Sequence, residues 1–342
     1  MKTRVVASAV AASLALSLGL AGCGTNGSGP TNSSAPAGDK TFTIGVTVIV
    51  THPSLQAIEK GFKDVLSEKG VKVTYKEENA AGDLNVAGTI ATTFAKDSSL
   101  DLILAIATPT AVAMVQQENA APTDQRRPIL YAGVTDPAGV GLVPSNEGPS
   151  GTNVTGASDL NPNAKPVAMI QSMVPAVKTI GVLYSSSESN SQIQIDAFKK
   201  EAAPLGITIK PTAITNSSEI ATAVETMTDV DAILIPTDNT VVAGVAPVIA
   251  FGERAKIPVF TADADTLKKG AVASRGVNYE TEGREVGQMA YDILVNGKAV
   301  GEVPAIVSQQ TQLFVNPGAA EKMGVTIPAA VLADAEQVAT TG

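Results

Sequence analysis

Two stretches of this chain repeat one another in register. Ile44-Gly45-Val46 returns as Ile180-Gly181-Val182, an offset of 136 residues. At the same offset Gln56 meets Gln192, Phe62-Lys63 meets Phe198-Lys199, and Gly70 meets Gly206. Farther on the offset becomes 130: Asp101, Ile103 and Leu104 answer to Asp231, Ile233 and Leu234, Thr110 to Thr240, and Pro128 to Pro258. One register held across strand, helix and cap residues marks a duplicated unit. It restricts the fold to two similar halves, joined near residues 151–159.

The unit itself alternates strand and helix. Phe42 to Val50 is a β-rich run, and Leu55, Ile58, Phe62, Val65 and Leu66 have helical spacing that stops at Gly70. Val71 to Tyr75 alternates like a strand, Val86 to Lys96 reads as a helix, and Leu100 to Ala107 reads as a buried strand. Near-continuous apolar strands between helices predict parallel sheet covered on both faces. The expected class is α/β, with two doubly wound parallel-sheet lobes joined by a hinge. Ligands of open α/β sheets bind beyond the carboxyl ends of the strands, so the cleft between the lobes is the expected site.

Composition narrows the function. Lys and Arg total 24 against 33 Asp and Glu, a net charge of −9, which is unsuited to nucleic acid. One His and one Cys exclude an intramolecular disulfide and a zinc site of the His/Cys kind. No metal and no cofactor is expected. Trp is absent and aromatics are 4 %, so a wall of stacking rings is not expected. No Gly-rich phosphate loop or nucleophile–base arrangement stands out, and an enzyme is not expected.

The N-terminus reads as an export signal. Lys2 and Arg4 precede the apolar stretch Val5 to Leu20, which is short for a membrane span. Leu20-Ala21-Gly22-Cys23 matches the bacterial lipobox, in which cleavage precedes the Cys and its thiol is lipidated. Residues 1–22 are then the signal and Cys23 the membrane anchor. Acyl chains contribute about 0.8 kcal/mol per buried CH₂, so two or three of them hold a protein stably. Residues 23–40, rich in Gly, Ser, Pro and Asn, are expected to be a flexible tether, with the folded body starting near Thr41. The protein is expected outside the cytoplasm, lipid-anchored to the cell membrane.

The runs His52-Pro53-Ser54-Leu55, Ala105 to Ala111, Thr135-Asp136-Pro137, Asn153-Val154-Thr155-Gly156, Ser187 to Ser191 and Pro236 to Thr240 resemble the substrate-binding lipoproteins of ABC importers. The branch is the type I periplasmic-binding-protein fold that includes aromatic-amino-acid binders. Ile257 to Phe260, Lys269-Gly270-Ala271 and Gly276 to Tyr279 continue the resemblance. It implies lobe 1 from 41–155 plus about 277–305, and lobe 2 from 156–276 plus about 306–342. It also implies a monomer that closes on a small molecule and delivers it to a permease and its ATPase. An amino acid, aromatic or branched, is the first expectation; a sugar, or a surface receptor or adhesin using the same cleft, are the alternatives.

Several turns are candidates for the site. Thr108 is a plausible N-cap with Pro109 in the first helical position, and Thr108 and Thr110 at a helix N-terminus suit a carboxylate. In the equivalent turn of the second half, Asp238 is either an N-cap or the partner of a ligand ammonium, with Asn239 beside it. Asn190 and Ser191 start a helix, as Ser54 does in the first half. The resemblance makes Asn190 and Ser191 ligand donors, and His52 is placed at the cleft rim. Asp136 is preferred over Asp263 as an acid reaching the ligand, against ordinary Asx-turn chemistry. Tyr131, Tyr184 and Tyr279 either pack the core or cover an apolar ligand side chain.

Overall fold

The duplicated residues occupy equivalent places in two sheets. The computed structural model describes residues 40–160, 165–309 and 311–338. The export signal, Cys23 and nearly all of the tether lie outside the described residues. The strands are β1 (Thr41–Val48), β2 (Lys72–Asn79), β3 (Leu102–Ile106), β4 (Ile129–Val134), β5 (Gly148–Pro149), β6 (Val154–Ser158), β7 (Thr179–Ser185), β8 (Thr208–Ile214), β9 (Ala232–Ile235), β10 (Val259–Thr261), β11 (Ala273–Val277), β12 (Pro304–Val307), β13 (Thr311–Val315) and β14 (Glu336–Gln337). They form one sheet in the order β2-β1-β3-β4-β6-β12-β5 and another in the order β14-β13-β11-β10-β9-β7-β8. Reading the second sheet backwards from β8 reproduces the first five positions of the first sheet.

Register makes the duplication concrete. Gly45 stands opposite Ile103 on β3 and Lys76 on β2. Gly181 stands opposite Ile233 on β9 and Lys210 on β8. A Cβ at Gly45 would meet Phe94 and Leu100 at 3.0 Å, and one at Gly181 would meet Met227 at 2.5 Å. Both glycines admit the apolar residues that precede the next strand. β3 is buried along its whole length, as a strand covered on both faces must be.

The helices that cover the sheets and shape the cleft are α1 (Pro53–Glu68), α2 (Leu84–Lys96), α3 (Thr108–Asn119), α4 (Pro166–Met173), α5 (Ser189–Ala202), α6 (Ile220–Glu225), α7 (Asn239–Ala243), α8 (Ala246–Ala255), α9 (Ala264–Leu267) and α10 (Tyr279–Leu294). Among the described residues, none is long and apolar enough to cross a membrane. Two hydrophobic cores form, one under each sheet. α10 follows β11 of the second sheet yet places Val286, Met289, Ala290 and Ile293 in the first core. The chain therefore crosses between the sheets after β6, after β11 and after β12.

The expected two-lobed α/β architecture with mostly parallel sheets is present, and antiparallel strands enter only toward one edge of each sheet. β12 joins β6 in parallel, whereas β13 pairs antiparallel with β11, and β5 pairs antiparallel with β12. β12 and β13 are consecutive strands that enter different sheets, so they need not share one direction relative to their neighbours.

Candidate functional site

Residues that follow the carboxyl ends of the strands meet between the sheets. His52 and Ser54 follow β1, Thr135 follows β4, Asp159 follows β6, Thr237 and Asn239 follow β9, Asp263 follows β10, and Tyr279 follows β11. A cavity of about 380 Å³ is lined by Asp159, Tyr279, Thr237, Arg275, Leu160 and Phe198, among others. A pocket of about 20 Å³ shares Asp159, Thr237 and Tyr279 with it and adds His52, Ser54 and Asn239. The larger volume suits a small organic molecule.

Three contacts tie the halves together across the cleft. The Ser54 hydroxyl donates to Asp263 Oδ1 at 3.0 Å. His52 Nε2 lies 3.3 Å from Asn239 Oδ1, and the Thr135 and Thr237 hydroxyls are 3.4 Å apart. Beside them the Tyr279 hydroxyl donates to Asp159 Oδ2 at 3.0 Å. The other oxygen, Oδ1, is buried, and no hydrogen bond of good geometry reaches it. Burial pushes the Asp159 carboxyl up, while the bond from Tyr279 works in the opposite direction. Arg275 lines the same cavity, and its Nε is also buried without a partner. Unmet polar atoms in a buried site are costly, and a ligand carrying their complements relieves that cost. One open carboxylate oxygen, one open guanidinium N–H and an apolar wall of Leu160, Ala197, Phe198 and Val277 match a zwitterion with an apolar side chain.

A polar layer stands behind Thr237. Gln194 holds that residue twice, donating to its hydroxyl at 2.6 Å and accepting from its N–H at 3.0 Å. Asn190 donates to the Thr237 carbonyl at 2.8 Å. Glu188 accepts from the N–H groups of Asn239 and Thr240 at 3.0 and 2.9 Å, closing the N-terminus of α7.

Of the residues expected to contact a ligand, His52, Ser54 and Asn239 line the small pocket, and the others lie elsewhere. Asp238 is the N-cap of α7: Oδ1 accepts from Val241 N–H at 2.9 Å, and Oδ2 from Ser185 N–H and the Ser191 hydroxyl, both at 2.6 Å. It is fully buried inside the second half, and burial, with the nearby Glu188 charge, pushes it up to about 7. Ser191 and Asn190 serve this layer instead of facing the cavity. Thr108 is not a cap; Ala107, at φ 79°, holds that position. The Thr108 hydroxyl is buried and unpartnered, and the Thr110 hydroxyl donates back to Ile106 O at 2.6 Å. Neither lines either cavity. Asp136 accepts from Gly139 N–H and Asn146 Nδ2, which is local turn chemistry. Asp159, Thr237, Gln194 and Arg275 line the larger cavity and were not among the expected residues. The signal for Asp159 was available: it follows a strand at the junction of the two halves.

Comparison with known proteins identifies the family. The model of the family described as ABC transporter substrate binding protein matches residues 43–339. A tyrosine-binding protein of Clostridioides difficile (strain R20291) is 34 % identical over 304 residues, covering 87 % of this chain and 86 % of that one. The structure of an ABC domain in complex with L-Trp from Streptococcus pneumonia is 36 % identical, covers 87 % of this chain and 100 % of its own, and has a TM-score of 0.81. A ligand-free, open substrate-binding protein with adhesive properties from Clostridium difficile is also 36 % identical, covers 88 % of this chain and 100 % of its own, and has a TM-score of 0.64.

Proposed function

Because the chain belongs to the ABC transporter substrate-binding protein family, we propose that it is the extracytoplasmic receptor of an importer for an aromatic amino acid. The observation that carries the ligand class is the buried, unpartnered Oδ1 of Asp159 in a cavity that also has an apolar wall of Leu160, Phe198 and Val277. The ligand ammonium pairs with Asp159, its carboxylate meets Arg275, and its side chain lies against Leu160, Phe198 and Val277. Relatives described as binding tyrosine and tryptophan support that reading. Contact with both halves stabilises the closed arrangement over the open one, which is how binding becomes a signal for the permease and its ATPase. The cross-cleft bonds and the higher TM-score to the L-Trp complex than to the open relative support a closed arrangement here.

Calorimetric titration with L-tryptophan, L-tyrosine, indole-3-propionate and glucose tests this. The two amino acids should bind, and indole-3-propionate, which lacks the ammonium, should not. Binding of glucose with no response to either amino acid overturns the proposal.

The proposal includes a lipid on Cys23. Replacing Cys23 with Ala should move the protein, or its uncut precursor, out of the lipid-labelled pool and away from the membrane fraction. Continued incorporation of labelled fatty acid by the Cys23→Ala protein contradicts the anchor.

A further inference from the structure

Asp159 has a second buried acid for company. Glu282, in the first turns of α10, is fully buried. Its Oε1 accepts from Gly133 N–H at 2.7 Å, and its Oε2 has no partner. Among the described residues neither Asp159 nor Glu282 takes part in an ion pair. Each keeps one oxygen without a partner of good geometry, and the two adjoin one small pocket: Asp159 lines it, and so does Gly133, whose N–H holds Glu282.

The surrounding charges do not neutralise them. Asp263, after β10, is tied to Ser54, to Thr266 N–H and to the Thr261 hydroxyl. Glu285, three residues along α10 from Glu282, accepts from the Ser308 hydroxyl at 3.0 Å. Tyr279 on α10, and Tyr131 and Thr135 of the β4 segment, offer hydroxyls only. His52 faces Asn239, Arg275 and Lys165 line the larger cavity, and the Arg275 guanidinium lies 3.8 Å from Asp334 Oδ2. Two interacting carboxylates without a cation do not both ionise easily; they titrate as one system.

We propose that Asp159 and Glu282 share one proton in the empty site, and that a ligand's ammonium group displaces it to solvent. This inference rests on the amino-acid reading above. Burial pushes Glu282 well above the usual carboxylate range and the Asp159 charge adds to that, in keeping with a held proton. The bookkeeping of charge is simple: one positive group enters and one proton leaves to buffer. Binding therefore strengthens as pH rises, by roughly tenfold per pH unit while the empty pair keeps its proton, and levels off above that range. The site also discriminates against uncharged analogues, because they cannot replace the proton.

The test is calorimetry of the full mature chain with L-tryptophan at mildly acidic pH, in phosphate and in imidazole, whose ionisation heats differ. The observed enthalpies should differ by an amount equal to the release of nearly one proton. In Glu282→Gln that difference should largely disappear, and affinity at low pH should rise above wild type, since no proton remains to be displaced. A merely structural role for Glu282 gives neither result. Tight binding with the same enthalpy in both buffers overturns the proposal, as does undiminished proton release in Glu282→Gln. Carboxyl-detected NMR titration of the empty wild-type protein provides a test that needs neither the ligand nor the variant. One carboxyl of the pair should stay protonated into the neutral range; ionisation of both below that range overturns the shared proton. Failure of L-tryptophan to bind, with the NMR result as expected, faults the ligand class alone.

Discussion

Replacing Asp159 with Ala should weaken amino-acid binding by about thirty-fold to several thousand-fold. The range follows from the roughly 2–5 kcal/mol lost when one partner of a desolvated ion pair is removed. The empty protein should not suffer in parallel. Asp159 accepts from the Tyr279 hydroxyl, the Thr135 hydroxyl also favours its charged form, and its buried Oδ1 lacks a partner of good geometry, so its removal relieves desolvation. The melting temperature of ligand-free Asp159→Ala should stay level or rise while affinity collapses. Asp238→Ala provides the opposite pattern. That carboxylate caps α7 and binds Ser185 and Ser191, so its loss should lower stability by at least the roughly 0.5–2 kcal/mol of a lost cap and leave most of the affinity. Calorimetric titration and a melting curve on both variants separate the roles. Near-native affinity in Asp159→Ala removes it from the ligand site.

The contrast between these two acids shows what the sequence could and could not reveal. The repeat was legible because duplicated residues must do the same local work: Gly45 and Gly181 each leave room for the apolar residues ahead of the next strand. The location of the site was legible too, because strand carboxyl ends face one another in such a fold. The individual ligand residues were not. Ser, Thr, Asp and Asn at helix starts serve capping and ligand binding equally well, and the choice depends on which way the turn faces. Asp238 is turned inward by Ser185 and Ser191, about fifty residues earlier in the chain. Asp159 follows β6 at the junction of the halves, a signal of place alone, and its hydrogen-bond partner Tyr279 comes 120 residues later.

Charge pairing shows the same dependence on distant neighbours. Glu280 and Arg284 have the i,i+4 spacing of a pair along one helix. α1 packs alongside α10, and the charges find partners there: Lys60 binds Glu280 at 2.8 Å, and Arg284 reaches both Glu68 oxygens at 3.0 and 2.6 Å. The neighbour that redirects them is more than two hundred residues away in sequence. No local pattern announces it, apart from the glycines that let the helices approach.

Those glycines carry the second large effect. A Cβ on Gly283 would stand 2.1 Å from Ile58 O, one on Gly287 2.8 Å from Phe62 O, and one on Gly61 2.2 Å from Glu280 O. Each obstacle is backbone, so no side-chain rotation can clear it. Gly283→Ala must push α1 and α10 apart, and overpacking of this kind costs about 1–3 kcal/mol or more. That is a large share of the roughly 5–15 kcal/mol that holds a domain folded. Function should fall as well, because α10 begins at Tyr279 and carries Glu282, so a displaced helix withdraws the hydroxyl from Asp159. Gly88 in α2 is the control. Nothing lies within 4 Å of its would-be Cβ, so Gly88→Ala should stabilise by about 0.4–1 kcal/mol through the unfolded chain. Urea unfolding followed by circular dichroism, with a tryptophan titration of each variant, measures both effects. A Gly283→Ala midpoint equal to wild type, with affinity unchanged, means that the α1–α10 contact does not hold the crossing segment in place.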